Sequence, residues 1–147
     1  MADLELVRRL ATADHGLAVV ATHRADWSIQ TSVVNAGVTT HPVTAADSIA
    51  FVARGDAAKL ANLRRRPTAN VTLRAGWEWV AVEGAATIFG PDDPSSEVDA
   101  DRLRGLLREV FTAAGGTHDD WDEYDRAMAD ERRATVFVEL ERITGNG

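Results

Sequence analysis

The chain has no cysteine among its 147 residues, which excludes disulfides, thiolate metal sites and a cysteine nucleophile. It also lacks any apolar run near the roughly 20 residues needed to span a bilayer. The start, MADLELVRRLATADHG, has no apolar middle region of the kind a signal peptide carries. A cytoplasmic protein with no membrane partner is the expectation. Positive charge is short overall, with a formal net charge of -7, which argues against a general nucleic-acid binder. No G-x-S-x-G elbow and no G-x-G-x-x-G fingerprint occurs, so serine hydrolysis and Rossmann-type dinucleotide binding lack their signatures. His118 precedes a run of carboxylates at Asp119, Asp120, Asp122, Glu123 and Asp125. Such a run reads as a dipole-favoured helix start rather than a converging ligand cage, and no metal site is expected.

What is present points to one domain over residues 1–147, long enough to bury a sizeable core. Leu4, Val7 and Leu10 repeat at helical spacing and predict a short helix over 3–13, ended by His15-Gly16. Strands are expected at 17–22, 28–38, 49–53, 68–73, 77–89 and 135–140, with 39–48 a loop around Pro42. On the second strand Gln30 and Ser32 share one face, with Ile29, Thr31 and Val33 on the other. The breaker GPDDP at 90–94 is followed by an apolar stripe from Val98 to Phe111, closed by Gly115-Gly116. A further helix opens near Asp119, carries Trp121, Tyr124 and Met128, and ends at Arg132-Arg133. Hairpin connections without regular βα alternation predict a small antiparallel barrel of six strands with a helical insertion before the last one.

The stretch IAFVARGDAAKLANLRRRP, 49–67, is the most informative part of the chain. It reads as a buried strand, a corner at Arg54-Gly55 and a helix with Asp56 as its N-cap and Lys59 on its first turn. Arg54, Lys59, Arg64, Arg65 and Arg66 place five cations within 13 residues of an acidic chain. A helix start with free amides, a glycine and a lysine is a sensible anion site; a solvated basic surface is the plainer alternative. Trp77 and Trp79, at i and i+2, fall on one strand face. They fit a wall for a flat aromatic ligand, or else barrel core or a dimer interface. His23 and His41 lie near strand ends without an evident partner and read as turn residues.

Taken in order, AKLANLRRRP, GWEWVAVEG, HDDWDEYDRAM and a closing strand ending in ERITG resemble the split β-barrel flavin and deazaflavin oxidoreductases related to pyridoxamine 5′-phosphate oxidase. The nearest branch is the actinobacterial group that uses the 8-hydroxy-5-deazaflavin coenzyme F-420. The resemblance runs from Leu17 to Gly145, and HDDWDEYDRAM favours the deazaflavin branch. It implies a mainly β fold with helices, the FMN-binding split barrel. It further implies a homodimer with cofactor sites between subunits, and hydride transfer to a small conjugated acceptor. Lys59 matches the cofactor-phosphate lysine, with Arg54, Asn62 and the helix amides from Ala58 onward beside it. Gln30 and Ser32 match polar positions along the ring, and Trp77 and Trp79 aromatic ones near it. Ala53 and Ala57 depart from the hydroxyl or arginine side chains usual at the phosphate. FMN is the alternative cofactor, and a non-catalytic flavin or deazaflavin carrier the alternative function. No residue stands out as proton donor.

Overall fold

A computed structural model describes residues 2–147. Helix α1 (Leu4–Ala13) leads into strands β1 (Leu17–His23), β2 (Ile29–Thr40) and β3 (Asp47–Ala53), then helix α2 (Ala58–Arg65). Strands β4 (Thr68–Ala75) and β5 (Glu78–Phe89) follow, then helices α3 (Ala100–Ala113) and α4 (Trp121–Asp130), and finally strands β6 (Ala134–Glu139) and β7 (Arg142–Gly145). All pairings are antiparallel, in the order β4-β1-β2-β3-β6-β5, and β4 pairs with β5 to close a six-stranded barrel. This is the expected split barrel, with the helical insertion α3–α4 ahead of the last barrel strand.

Closure depends on the two longest strands. β2 pairs with β1 up to Asn35 and with β3 from Ala36 onward. β5 pairs with β4 up to Ala85 and with β6 from Ala86 onward. Each strand thus serves both sheets, which joins them into one closed barrel. Gly84 stands where the chain leaving β6 crosses β5, and a Cβ there would run into the Glu139 carbonyl oxygen. Only glycine permits so close a backbone approach.

Inward-facing residues of the strands form the main core, including Val20, Ile49, Phe51, Val71, Val80, Val82 and Val136, all 0–1% exposed. α1 closes one end with Leu6, Val7, Leu10 and Ala11, and the Asp3 carboxylate caps it by accepting from the Leu6 amide at 3.1 Å. α2 contributes Leu60 and Leu63 at the i, i+3 spacing that puts both on one face. Leu106 and Val110 of α3 pack on Ala50, Phe89 and Phe137 as a second cluster.

The structure corrects several local expectations. β2 runs on to Thr40, so the loop is shorter than 39–48. β7, four residues with only half-buried Ile143 and Arg142–Gly145 on the flank of β5, adds a seventh strand. Its apolar signal is too weak to read, because pairing rather than burial holds it. Val98 lies before α3, whose N-cap is Asp99. Asp56 is not an N-cap: the Ala57 amide bonds back to the Arg54 carbonyl at 3.0 Å, delaying the helix until Ala58, with Ala57 as cap residue. The Asp56 carboxylate turns to Arg54 instead, at 3.4 Å. Trp77 belongs to the turn before β5 and is 95% exposed, and Trp79 is 39% exposed, so neither fills the core.

His41 has partners after all. It is buried, its Nδ1 accepts from the Val43 and Thr44 amides at 3.1 Å each, and its Nε2 lies 3.3 Å from Thr87 Oγ1. Two amides on Nδ1 require the proton on Nε2. Phe89 and Phe137 flank the ring, and burial pushes its pKa below the ordinary value. The unfolded chain therefore takes up this proton first as pH falls, so the stability His41 contributes is complete above about pH 6.5 and declines below it. Replacing His41 with Asn should lower stability at neutral pH yet flatten its fall between about pH 6.5 and pH 5. Thermal melts across that range read both effects.

Candidate functional site

A hollow of about 530 Å³ lies where β2, β3, the start of α2 and the α3–α4 insertion meet. Its volume is in the range of small-molecule sites. One end is apolar, formed by Val33, Val34, Val110, Phe111 and Ala114. The other end carries three cations, Arg54, Lys59 and Arg133, against one carboxylate, Asp56. Ala53 and Ala57 complete that end.

Lys59 is the chain's only lysine, the other fifteen of its 16 basic residues being arginine. It is half-buried and forms no ion pair among the described residues. Burial lowers its pKa first, and the neighbouring Arg133 guanidinium lowers it further. With no carboxylate on it among the described residues, the lysine is a place in the hollow where an anion would be favoured. No side chain caps α2, so its first-turn amides add partial positive charge at the same place. Arg54 and Arg133 are less available, since both pair with Glu131, at 3.7 and 2.7 Å.

Arg133 reaches the hollow through the way α4 stops. The Arg133 amide bonds to the Met128 carbonyl at 2.9 Å and the Arg132 amide to the Ala129 carbonyl at 3.1 Å. That is a Schellman ending, with Arg132 rather than glycine in the left-handed region at φ 49°. The same junction grips the β3–α2 corner, because the Gly55 amide donates to the Glu131 carbonyl at 3.1 Å. A Cβ on Gly55 would stand 2.6 Å from the Arg132 carbonyl oxygen. Tyr124, also lining the hollow, donates its hydroxyl to the Leu107 carbonyl at 2.9 Å. Burial pushes its pKa up to about 12, so it is a wall and not a ready acid.

The residues singled out from sequence divide among three places. Ala53, Arg54, Ala57 and Lys59 come together at the charged end of the hollow. Asn62 and Gln30 meet each other instead: Asn62 Nδ2 donates to Gln30 Oε1 at 2.9 Å and to Thr22 Oγ1 at 3.1 Å. That contact fixes the Gln30 amide with its NH₂ directed away from Asn62, and Ser32 follows on the same face of β2. Trp77 and Trp79 lie elsewhere, lining a separate hollow with Thr72, Arg74 and Gly76. Ala58 is exposed on the first turn of α2 and lines no part of the hollow beside Lys59. Sequence reading missed Arg133, Phe111 and Met128 as lining residues. Each was visible only as a helix-end charge or a stripe residue, and nothing local told which cavity it would face. No group of three or more metal-ligating side chains occurs among the described residues.

No family model matches the chain. Solved structures share its fold over nearly its full length. A conserved hypothetical protein of Mycobacterium tuberculosis aligns with 99% of this chain and 84% of its own, at 18% identity and a TM-score of 0.67. A pyridoxamine 5′-phosphate oxidase-related, FMN-binding protein of Nostoc punctiforme aligns over 95% and 78%, at 12% identity and TM-score 0.62. An F-420 reductase aligns over 87% and 88%, at 13% identity and TM-score 0.58. Heme-binding proteins share the fold as well. At these identities the likeness is one of fold.

Gly55→Ala should cost about 1–3 kcal/mol, because backbone, not a flexible side chain, meets the added methyl. A melting temperature within a degree of the parent would show that the corner is not held against Arg132.

Proposed function

We propose that the chain is a cytoplasmic oxidoreductase that binds a phosphorylated flavin-type coenzyme, the deazaflavin F-420 before FMN, and reduces a small conjugated molecule. The observation that carries this reading is the single lysine, without a carboxylate partner among the described residues, lining the same hollow as Arg133 at the uncapped start of α2. Those groups fit a phosphate: an unpaired lysine and the first-turn amides of α2 meet at the hollow, with Arg133, held by Glu131, among the lining residues. The apolar lining, with Val34, Val110 and Ala114 buried, fits the flat ring system, because it brings no competing hydrogen bonds. The ring supplies the hydride chemistry when bound. The chain's own residues bind, orient and keep the site dry. Ala53 and Ala57 offer no hydroxyl to a phosphate, which is why FMN, whose grip depends most on that group, ranks second.

The same reading includes a homodimer. The outward faces of β1 and β2 expose Leu17, Val19, Ile29 and Val33, the last two 60% and 65% exposed. Val19 and Val33 are direct cross-strand partners, so the apolar surface is continuous. A contiguous exposed patch of this kind favours a protein partner. Val33 also lines the hollow beside Lys59, so a partner seated on this face would complete the hollow's rim.

Fluorescence titration with F-420 and, separately, FMN tests the cofactor. Lys59→Ala should weaken F-420 binding by about 1.5–3 kcal/mol, roughly tenfold to a hundredfold. Arg65→Ala, an exposed cation on the same helix, should leave it within about twofold of the parent. Equal losses in the two variants would reduce the site to diffuse charge. Tight binding with no hydride passed to any acceptor would make the protein a carrier. For the dimer, Val19→Glu should yield a folded monomer by analytical ultracentrifugation. A parent protein that is itself monomeric at micromolar concentration would refute the interface.

A further inference from the structure

Lys59 carries the only side-chain amine of the chain, and it lines the hollow of about 530 Å³. The other charged and titratable groups of that hollow come from three places. Arg54 and Asp56 stand at the β3–α2 corner, Tyr124 on α4, and Arg133 just past the end of α4. The carboxylates near it are engaged. Asp56 lies 3.4 Å from Arg54, and Glu131 pairs with Arg54 at 3.7 Å and with Arg133 at 2.7 Å. Tyr124 donates its hydroxyl to the Leu107 carbonyl. Lys59 itself forms no ion pair among the described residues.

An ammonium has no lone pair, so a lysine attacks carbon only as the neutral amine. Burial lowers the pKa of Lys59 first, and the positive charge of Arg133 lowers it further. Those are the two influences that make a lysine nucleophilic: removal from water and a neighbouring cation. The same hollow supplies an apolar seat beside the amine. Val34, Val110 and Ala114 are buried there, with Phe111 half-buried among them. An amine next to such a wall selects an electrophile with an apolar body over a strongly hydrated one.

We propose that Lys59 is a covalent site that forms an imine with small aldehydes whose apolar body lies against Val34, Val110 and Ala114. The Nζ lone pair attacks the carbonyl carbon, and the C–N bond forms as the carbonyl π pair moves to oxygen. The carbinolamine then expels that oxygen as water, which carries off both protons of the amine, and a C=N bond remains. Nothing is oxidised or reduced. Solvent water relays the protons, because the Tyr124 hydroxyl is committed to Leu107 and its pKa is pushed up to about 12. The inference does not depend on the coenzyme reading. An anion bound against Lys59 would favour its ammonium form, so a phosphorylated coenzyme and an aldehyde would exclude one another from the hollow.

Reductive trapping of the intact protein with benzaldehyde and cyanoborohydride tests this, with the adduct mapped by proteolysis and mass spectrometry. At neutral pH Lys59 should be benzylated several-fold faster than the side chain of Nα-acetyl-lysine amide. Its rate should also peak at a lower pH than that of the free amine. Urea-unfolded protein should lose both differences, because the fold creates them. Lys59→Arg, which keeps the charge and removes the nucleophile, should leave only the chain's α-amino group to react. Formaldehyde, which has no apolar body, should show less preference for Lys59 over the free amine than benzaldehyde does. A folded protein whose Lys59 matches the free amine in rate and pH maximum would overturn the proposal. Equal preference for the two aldehydes would overturn it as well, since the apolar seat would then play no part.

Discussion

The site depends on a clamp between two parts of the chain far apart in sequence. The corner that joins β3 to α2 is held by the end of α4, through the Gly55 amide on the Glu131 carbonyl and the ion pairs of Arg54 and Arg133 with Glu131. Release of that clamp would move Arg133 away from Lys59 and open the hollow's charged end to water. The clamp also stores a small strain, because Arg132 occupies a left-handed backbone position that glycine would fill at less cost. Strain of this kind persists where neighbouring structure enforces it, and here both the Schellman bonds and the Gly55 contact do so.

The barrel makes the clamp possible. Since β2 and β5 each serve two sheets, the strands close on themselves and the helices pack against the closed barrel. α3 is fixed by its own apolar stripe against Phe89 and Phe137, and α4 then hangs from α3. Tyr124 on the Leu107 carbonyl and Arg108 on Asp125 join the two helices. The insertion is thus seated on the barrel through α3, while the end of α4 reaches the β3–α2 corner. The apolar outer face of β1 and β2 is the other consequence of closure: it is surface that the barrel's own core does not need.

Much of the architecture was legible in local pattern. The β-rich runs LAVVAT and TVFVEL, the breaker at 90–94 and the apolar stripes at helical spacing each signalled their element, because burial selects residue type and spacing locally. The failures have a common cause. Asp56 looked like a cap, yet a backbone bond from Ala57 to Arg54 moved the helix start by one residue. β7 escaped notice because a strand held by pairing alone leaves no apolar period. His41 looked unpartnered because its partners, Thr87, Phe89 and Phe137, come from β5 and β6.

By itself the sequence determined the six barrel strands and the four helices, the barrel class and the basic stretch around Lys59, since each is written in residues close together along the chain. It also determined that one lysine would stand among fifteen arginines. Only the tertiary structure decided which of those cations face a common hollow. It separated Asn62 and Gln30 into their own hydrogen-bonded pair, sent Trp77 and Trp79 to the surface, and brought Arg133 to the same hollow as Lys59 from 74 positions away. The reason is physical: convergence of side chains is fixed by how elements pack and where their backbones stop, and that information belongs to no single stretch of chain.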